Sequence, residues 1–260
     1  MAGPQIRFSD GAGYELLMGQ WSRDAGSVFL DWLQPAAGLT WLDVGCGSGA
    51  FSSLVVERCA PRSLLGIDPS DAQLDFARGR GLGPVATFRR GDAMQIDLAD
   101  NSVDVAVAAL VMHFMPDPLR GVSELARVVR PGGLVAAYTW ELESGGFPYE
   151  AVHRAMVAVG LEVPQPPHPE AGNADELIRL WQTAGLDDVL QREISVTRTY
   201  RDFEQYWQTA TLSPRIAAVF RDLAPEKLAL VRSETRSRVS DSPIVTARAN
   251  AVSGRTAARA

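Results

Sequence analysis

The chain has 260 residues, of which 46% are hydrophobic and 22% charged, and its formal net charge is −6. This composition is that of a globular protein and excludes a disordered or collagen-like chain, and the acidic balance argues against a nucleic-acid partner. Cys46 and Cys59 are the two cysteines. So few cysteines indicate a reducing compartment, and no apolar run is long enough to cross a bilayer. We therefore expect a cytoplasmic protein.

The first half of the chain alternates helical and extended patterns. Residues 14–34 predict one or two amphipathic helices that end at Pro35 and Gly38. Helices are also predicted over 50–60, over 71–78 with Ser70 as N-cap, and over 116–130, where the segment PGG ends the last of them. Between them, short apolar runs predict strands at 40–44, 63–68, 85–92, 102–114 and 134–140.

The second half adds two strands and several helices. Helical patterns cover 149–161, 173–186 and 202–238, the proline-rich segment 163–170 is typical of a surface linker, and strands are predicted at 188–200 and 242–252. The fold class is therefore α/β, a doubly wound Rossmann-like sheet of seven mostly parallel strands with N-terminal helices and a helical lid insertion between the last two strands. We divide the chain into an N-terminal helical lid (1–38), a binding core (39–200 and 239–255) and a lid insertion (201–238).

The segment WLDVGCGSGAF, residues 41–51, carries the most informative pattern. Gly45, Gly47 and Ala50 satisfy the dinucleotide fingerprint G-x-G-x-x-G/A, and Asp68 follows at the expected distance, so an NAD-dependent oxidoreductase is one alternative. However, Asp43 stands two residues before the first glycine. An acid there would repel a pyrophosphate but suits a cofactor that carries a cationic amino group.

Five segments in a fixed order carry a resemblance to a known family. They are DVGCGSG, GIDPS, RGDA, DVAVAALVMHF and RVVRPGG. Residues 39–140, which contain them, resemble class I S-adenosylmethionine (SAM)-dependent methyltransferases, in the small-molecule branch typified by ubiquinone/menaquinone-biosynthesis enzymes. The resemblance implies SAM as cofactor and S-adenosylhomocysteine (SAH) as product.

The resemblance also implies roles for individual residues. Asp43 would face the amino group of the cofactor, Asp68 its ribose hydroxyls and Asp92 the adenine amino group, while Pro69 packs on adenine. Cys46 is expected to fill space in the loop rather than to act as a nucleophile. The predicted cofactor-binding residues are Tyr14, Trp21, Asp43, Gly45, Cys46, Gly47, Gly49, Asp68, Pro69, Asp92, Ala93 and Ala109.

The acceptor side is less determined. His113, after the fourth strand, is the candidate general base, with the alternative that it only shapes the pocket. Four aromatic residues either line a pocket for a flat acceptor or pack the lid; they are Tyr138, Trp140, Tyr206 and Trp207. We expect a small-molecule substrate with an O, N or C acceptor atom, no metal, and a monomer or homodimer. A non-methylating use of the same fold and cofactor site stays open.

Overall fold

A computed structural model describes residues 15–258 of the chain. Seven strands form one sheet. Their bounds are β1 Thr40–Val44, β2 Ser63–Asp68, β3 Ala86–Arg90, β4 Val103–Ala109, β5 Val129–Trp140, β6 Asp187–Thr199 and β7 Ile244–Arg255. The strand order is β3-β2-β1-β4-β5-β7-β6. Strands β1 to β5 pair in parallel, and β7 runs antiparallel to both β5 and β6.

Nine α-helices connect these strands within the described range. Their bounds are α1 Gln20–Leu33, α2 Ala50–Cys59, α3 Asp71–Gly79, α4 Pro118–Val128, α5 Glu150–Ala158, α6 Ala174–Thr183, α7 Phe203–Thr211, α8 Pro214–Phe220 and α9 Pro225–Arg236. Helices α7 to α9 all lie between β6 and β7 in the chain. The α/β fold class, the seven mostly parallel strands and the late helical insertion are thus confirmed. The division into lid and core segments stays a prediction.

The strand order reverses between β1 and β4, which are neighbours in the sheet although two strands separate them in the chain. In doubly wound sheets, the carboxyl ends of the strands at such a reversal open a crevice that binds ligands. The glycine loop follows β1 directly, and the segment after β4 carries His113. Both therefore lie at this edge of the sheet.

Two hydrophobic clusters cover the sheet. One joins α1 and α2 to the sheet through side chains such as Phe29, Phe51 and Tyr138. The other packs α4 and α6 on the sheet, with Leu125 and Trp181 fully buried. Because both faces are covered, central strand β4 is apolar along nearly its whole length, as expected for a buried parallel strand.

Two predicted boundaries were wrong. Strand β4 ends at Ala109 instead of continuing to residue 114, because Leu110 takes a φ of +59° and the chain turns into a short 3-10 helix over Met112–Phe114. The PGG segment does not end helix α4, which stops at Val128; it lies inside β5. Gly132 there has a φ of +72°, and its amide and that of Thr256 continue the hydrogen bonding between the β5 and β7 regions.

A single π-turn over Glu15–Gly19 leads into α1, which packs on α2. The ion pair between Arg23 and Glu57, at 2.9 Å, links the two helices at their surface. The predicted contact of Tyr14 with the cofactor lies outside the described residues. In the described part of the chain, every helix is too short or too polar to cross a bilayer.

Candidate cofactor site

The three glycines after β1 hold backbone conformations that other residues rarely adopt. Their φ angles are +68° at Gly45, +50° at Gly47 and +76° at Gly49. The amides of Gly45 and Cys46 both donate to the carbonyl of Ile67, at 2.8 and 3.0 Å, which fixes the loop against β2. A Cβ on Gly45 would lie 2.5 Å from Cγ2 of Val111. The loop therefore needs glycine both for its conformation and for its close contact with the segment after β4.

Asp43 is a buried carboxylate with one free acceptor. It is 1% exposed, and Ser52 Oγ donates to its Oδ2 at 2.6 Å. Its Oδ1 is buried and has no hydrogen-bond partner among the described residues. Burial raises the pKa of Asp43 to about 7, with Asp68 adding to the rise and Ser52 opposing it. A buried oxygen left in this way is suited to a cationic donor, since an unpartnered carboxylate is costly to bury.

Asp68, at the end of β2, anchors the loop. Its Oδ2 accepts from the amide of Gly47, and its Oδ1 accepts from the amide of Ser70, each at 2.9 Å. Ser70 itself caps α3 by accepting from the amide of Gln73, as predicted. Burial raises the pKa of the Asp68 carboxyl, and the two amides act against that rise. Each carboxylate oxygen can accept more than one hydrogen bond, so the geometry leaves room for ribose hydroxyls.

Helix α3 supplies two polar groups that the sequence did not reveal. Gln73 is 3% exposed, and its Oε1 lacks a hydrogen-bond partner in the described range. This oxygen lies close to the glycine loop, since a Cβ placed on Gly47 would be 4.0 Å from it. Arg80 donates to the carbonyl and the Oγ of Ser48. The capping-box spacing from Ser70 gave Gln73 a role at the helix start, and no motif marked either residue as a partner of the glycine loop.

The predicted adenine end lies one strand further out. Asp92 Oδ1 accepts from the amide of Met94 at 2.9 Å and closes a tight turn after β3. A cavity of about 310 Å³ opens beside it, lined by Asp92, Met94, Gln95, Pro116, Asp117 and Arg120. Pro69 is exposed, and Ala93 and Ala109 are half-buried. The structure thus brings the β2 and β3 residues to the same edge as the glycine loop.

His113 lies on the 3-10 turn after β4 and is 4% exposed. Its Nδ1 and Thr139 Oγ1, on β5, are 2.6 Å apart. The ring also packs against Phe114, with centroids 4.2 Å apart. Thr139 is fully buried and was not identified from the sequence. This hydroxyl fixes the orientation of the imidazole at the edge of the cleft.

Five aromatic residues that we predicted at the cofactor or acceptor lie in packed surroundings, and their contact with a ligand stays a prediction. Tyr138 is fully buried and its hydroxyl donates to the carbonyl of Ser22 at 3.4 Å. Trp207 stacks between Phe203 and Phe220 within the helical insertion between β6 and β7. The other three are packed against one another or against neighbouring rings; they are Trp21, Trp140 and Tyr206.

Cys46 is buried, and its thiol pKa is raised by burial, then by Asp43 and Asp68. A buried thiol with a raised pKa is a poor nucleophile, which favours the prediction that Cys46 fills space in the loop. Over residues 15–258, no three His, Cys, Asp or Glu side chains are grouped in a way that could hold a metal ion.

The residues at this edge fit SAM. The unpartnered Oδ1 of Asp43 can accept from its ammonium group, and the glycine backbone admits its methionine portion. Gly49 caps α2 without a side-chain hydrogen bond, so the first amides of that helix are available to a carboxylate. A pyrophosphate placed here would meet the Asp43 carboxylate instead.

Comparison with known proteins agrees with this geometry. A family model described as "Methyltransferase domain" matches residues 42–137. An uncharacterized methyltransferase of Mycobacterium tuberculosis is 41% identical over 104 residues, which are 40% of this chain and 41% of the relative. A probable S-adenosylmethionine-dependent methyltransferase of Mycolicibacterium smegmatis is 31% identical over 168 residues, 64% of this chain and 59% of the relative.

Two solved structures share the fold. A putative methyltransferase from Bacillus halodurans is similar at a TM-score of 0.59, with 16% identity over 89% of this chain and 98% of that chain. The [4+2]-cyclase SpnF is similar at 0.58, with 20% identity over 92% and 83% of the two chains. At these identities the likeness concerns the fold alone.

Residues 42–137 match a methyltransferase domain, and the fold is shared with solved methyltransferase structures. These findings and the SAM-dependent relative support a class I SAM-dependent methyltransferase. The cofactor of this class is SAM. The match spans 41% and 59% of the length of the two curated relatives. The narrower resemblance to ubiquinone/menaquinone-biosynthesis enzymes stays a prediction.

Proposed function

We propose that the protein transfers a methyl group from SAM to a small organic acceptor. The observation that carries this proposal is the buried Asp43, whose Oδ1 has no hydrogen-bond partner among the described residues and which lies beside three glycines with positive φ. A ligand that carries the ammonium and carboxylate groups of an amino acid suits that arrangement. The methionine portion of SAM has both groups. The methyltransferase-domain match over 42–137 supports the same conclusion.

In this proposal each site residue binds a different part of the cofactor. Asp43 accepts from the ammonium group, and the amides of the glycine loop and of the first turn of α2 bind the carboxylate. Asp68 accepts from the ribose hydroxyls while it keeps the loop closed through Gly47. Asp92 faces adenine at the cavity after β3.

The bound cofactor supplies an electrophilic methyl carbon on a sulfonium. The residues of this chain then have two tasks, to align the nucleophile behind that carbon and to exclude water. His113, held by Thr139, shapes the wall of the cleft at the end of β4. A neutral imidazole in this position can also accept a proton from a hydroxyl acceptor, which is the alternative role for His113.

The acceptor belongs to the class of small molecules with an O, N or C nucleophile. The net charge of −6 supports this class over RNA, whose binding needs a basic surface. The resemblance to quinone-biosynthesis methyltransferases supports a quinone-like acceptor, with a secondary metabolite as the alternative. A use of the same site without transfer, as the likeness in fold to a [4+2]-cyclase suggests, is the second candidate.

The experiment is a transfer assay with SAM that is radiolabelled on its methyl group. The purified protein is incubated with phenols, amines and carboxylic acids of one or two rings, and both labelled product and SAH are quantified. We expect matched amounts of labelled product and SAH with one chemical class of acceptor. Cofactor binding without transfer to any acceptor would favour the non-methylating alternative. Asp43→Asn is the control that should lower both signals when the SAM concentration is below saturation.

A further inference from the structure

Five aromatic residues form a buried cluster where α1, the carboxyl end of β6 and the lid helix α7 meet. Each is at most 3% exposed. We call them the aromatic cluster: Trp21, Trp140, Tyr149, Tyr200 and Tyr206. The rings of Tyr200 and Tyr206 pack edge to face at 5.2 Å, and Trp21 packs in the same way on Trp140 at 6.5 Å. The cluster lies at the edge of the sheet that also carries the glycine loop.

Arg198, near the end of β6, places a guanidinium in this cluster. Its central carbon lies 5.4 Å from the centroid of the Trp21 ring and 5.5 Å from that of Tyr200. Its Nη1 is buried and has no hydrogen-bond partner within residues 15–258. Both β5 and β6 run antiparallel to β7, so the carboxyl ends of β5 and β6 lie at the same edge. The Arg198 guanidinium therefore lies at the edge of the sheet where β5 and β6 end, and its Nη1 has no hydrogen-bond acceptor among the described residues.

The hydroxyls around Arg198 do not neutralise its charge. Tyr149 donates to the carbonyl of Leu17 at 2.7 Å, and Trp21 Nε1 donates to the hydroxyl of Tyr200 at 3.3 Å. Burial raises the pKa of Tyr149 and of Tyr206, so neither supplies a phenolate. The carboxylate of Glu150 also raises the pKa of Tyr206. Glu150 forms an ion pair with Arg154 at 2.9 Å.

A buried guanidinium nitrogen without an acceptor is unfavourable unless a ligand supplies one. A carboxylate suits this position because guanidinium and carboxylate are complementary in charge and in planar shape. The flanking rings favour a planar body next to that group, since aromatic faces pack best on flat ligands. Arg198 as a whole is half-buried, so part of its side chain reaches the surface and gives an anion a route to it.

We propose that Arg198 binds the carboxylate of the methyl acceptor, and that the acceptor is a small aromatic carboxylic acid. This inference rests on the proposed function, because it assigns the acceptor of the same site. The carboxylate binds Nη1 beside the Trp21 and Tyr200 rings, and the ring of the acceptor extends toward the end of β5. The charge pair fixes which end of the acceptor faces the lid, so the nucleophile at its other end faces the cofactor.

The test uses benzoate and benzamide as probes, because they share shape and size and differ in charge. Binding of each probe is measured by calorimetry at constant ionic strength, with the protein saturated by SAH. For the wild type we expect benzoate to bind at least tenfold more tightly than benzamide. Arg198→Gln should lose this preference, and Arg198→Lys should keep part of it. Arg192→Gln, an exposed arginine of the same strand, is the matched control and should behave as the wild type.

The outcomes separate the two proposals. The role of Arg198 would be overturned if the wild type bound both probes equally, or if Arg198→Gln kept the preference for benzoate. In either case, normal binding of SAH would leave the proposed function intact. Failure of the wild type to bind SAH would count against the proposed function. In that case a benzoate preference that Arg198→Gln abolishes in protein without SAH would show an anion site at Arg198 but would contradict its assignment to a methyl acceptor.

Discussion

Ser52 donates its hydroxyl to Oδ2 of Asp43 at 2.6 Å and thereby leaves Oδ1 of this buried carboxylate as the free acceptor beside the glycine loop. Strand β1, the loop and the first turn of α2 place these two side chains together, so the relationship is built within ten consecutive residues. It gives the site a single anionic oxygen at the point where the ammonium group of SAM would lie.

Asp43→Asn should weaken SAH binding by about 1.5–3 kcal/mol, roughly 10- to 150-fold, because the amide keeps the shape of the carboxylate but loses its charge. Titration calorimetry measures this loss. Ser52→Ala, which removes the neighbouring hydroxyl and keeps the charge, is the matched variant and should lose less affinity. Equal losses in the two variants would count against the assigned role of the Asp43 charge.

The pKa of about 7 for Asp43 predicts a pH dependence of opposite sign for stability and for binding. Because this pKa is raised in the folded protein, the contribution of the group to stability is fully present below its ordinary value of 3.8 and is lost as the pH rises through about 7. Binding needs the ionised form, so SAH affinity should fall by up to about tenfold per pH unit below 7. Calorimetry from about pH 5.5 to 8.5 checks this, and Asp43→Asn should show a flatter profile.

Asp68→Ala should weaken SAH binding by about 1–3 kcal/mol, since it removes the acceptor of the ribose hydroxyls and also frees the amides of Gly47 and Ser70. Asp71→Ala, an exposed carboxylate three residues later, is the control for charge at this edge of the sheet. Unchanged affinity in Asp68→Ala would remove the ribose assignment.

Gly45→Ala should destabilise the fold by about 2–4 kcal/mol, because alanine is strained at a φ of +68° and its Cβ would lie 2.5 Å from Val111 Cγ2. Chemical denaturation measures the free energy of unfolding. Gly38→Ala is the matched control, since Gly38 has a φ of +76° but nothing within 4 Å of the added Cβ. It should cost only about 1 kcal/mol, and a similar loss in both variants would show that the contact with Val111 is unimportant.

His113→Ala should lower the stability by about 1–3 kcal/mol, because it opens a cavity and leaves the buried Thr139 hydroxyl without this hydrogen bond. If His113 shapes the pocket, as we propose, KM for the acceptor rises while the pH dependence of kcat stays as in the wild type. A fall in kcat of about 100-fold together with an altered pH profile would instead identify the general base.

The fold and the glycine loop could be predicted because their signals are local. Alternating apolar strands and helices, Ser70 as N-cap and three closely spaced glycines are each encoded within one short segment. The residues that contact the loop from other elements could not be predicted in the same way. Gln73 and Arg80 reach it from α3, and Thr139 reaches His113 from β5, contacts that only the folded sheet brings about.

The surroundings of the aromatic residues could not be predicted from their positions in the sequence. Tyr138 and Trp207 stand in the sequence where an acceptor pocket is expected, yet Tyr138 is fully buried and Trp207 is half-buried against the Phe203 and Phe220 rings. Arg198 gave no signal in the sequence, because its environment combines β6 with α1, elements far apart in the chain. A charged residue at the end of a strand is indistinguishable by sequence from an exposed one.

The most direct test of the account is a pair of calorimetric titrations of the wild-type protein, one with SAM and one with NAD. We predict that one molecule of SAM binds per chain, that NAD does not bind, and that Asp43→Asn and Asp68→Ala weaken the binding of SAM. Binding of NAD in the absence of SAM binding would contradict the account and restore the dinucleotide interpretation of the glycine loop.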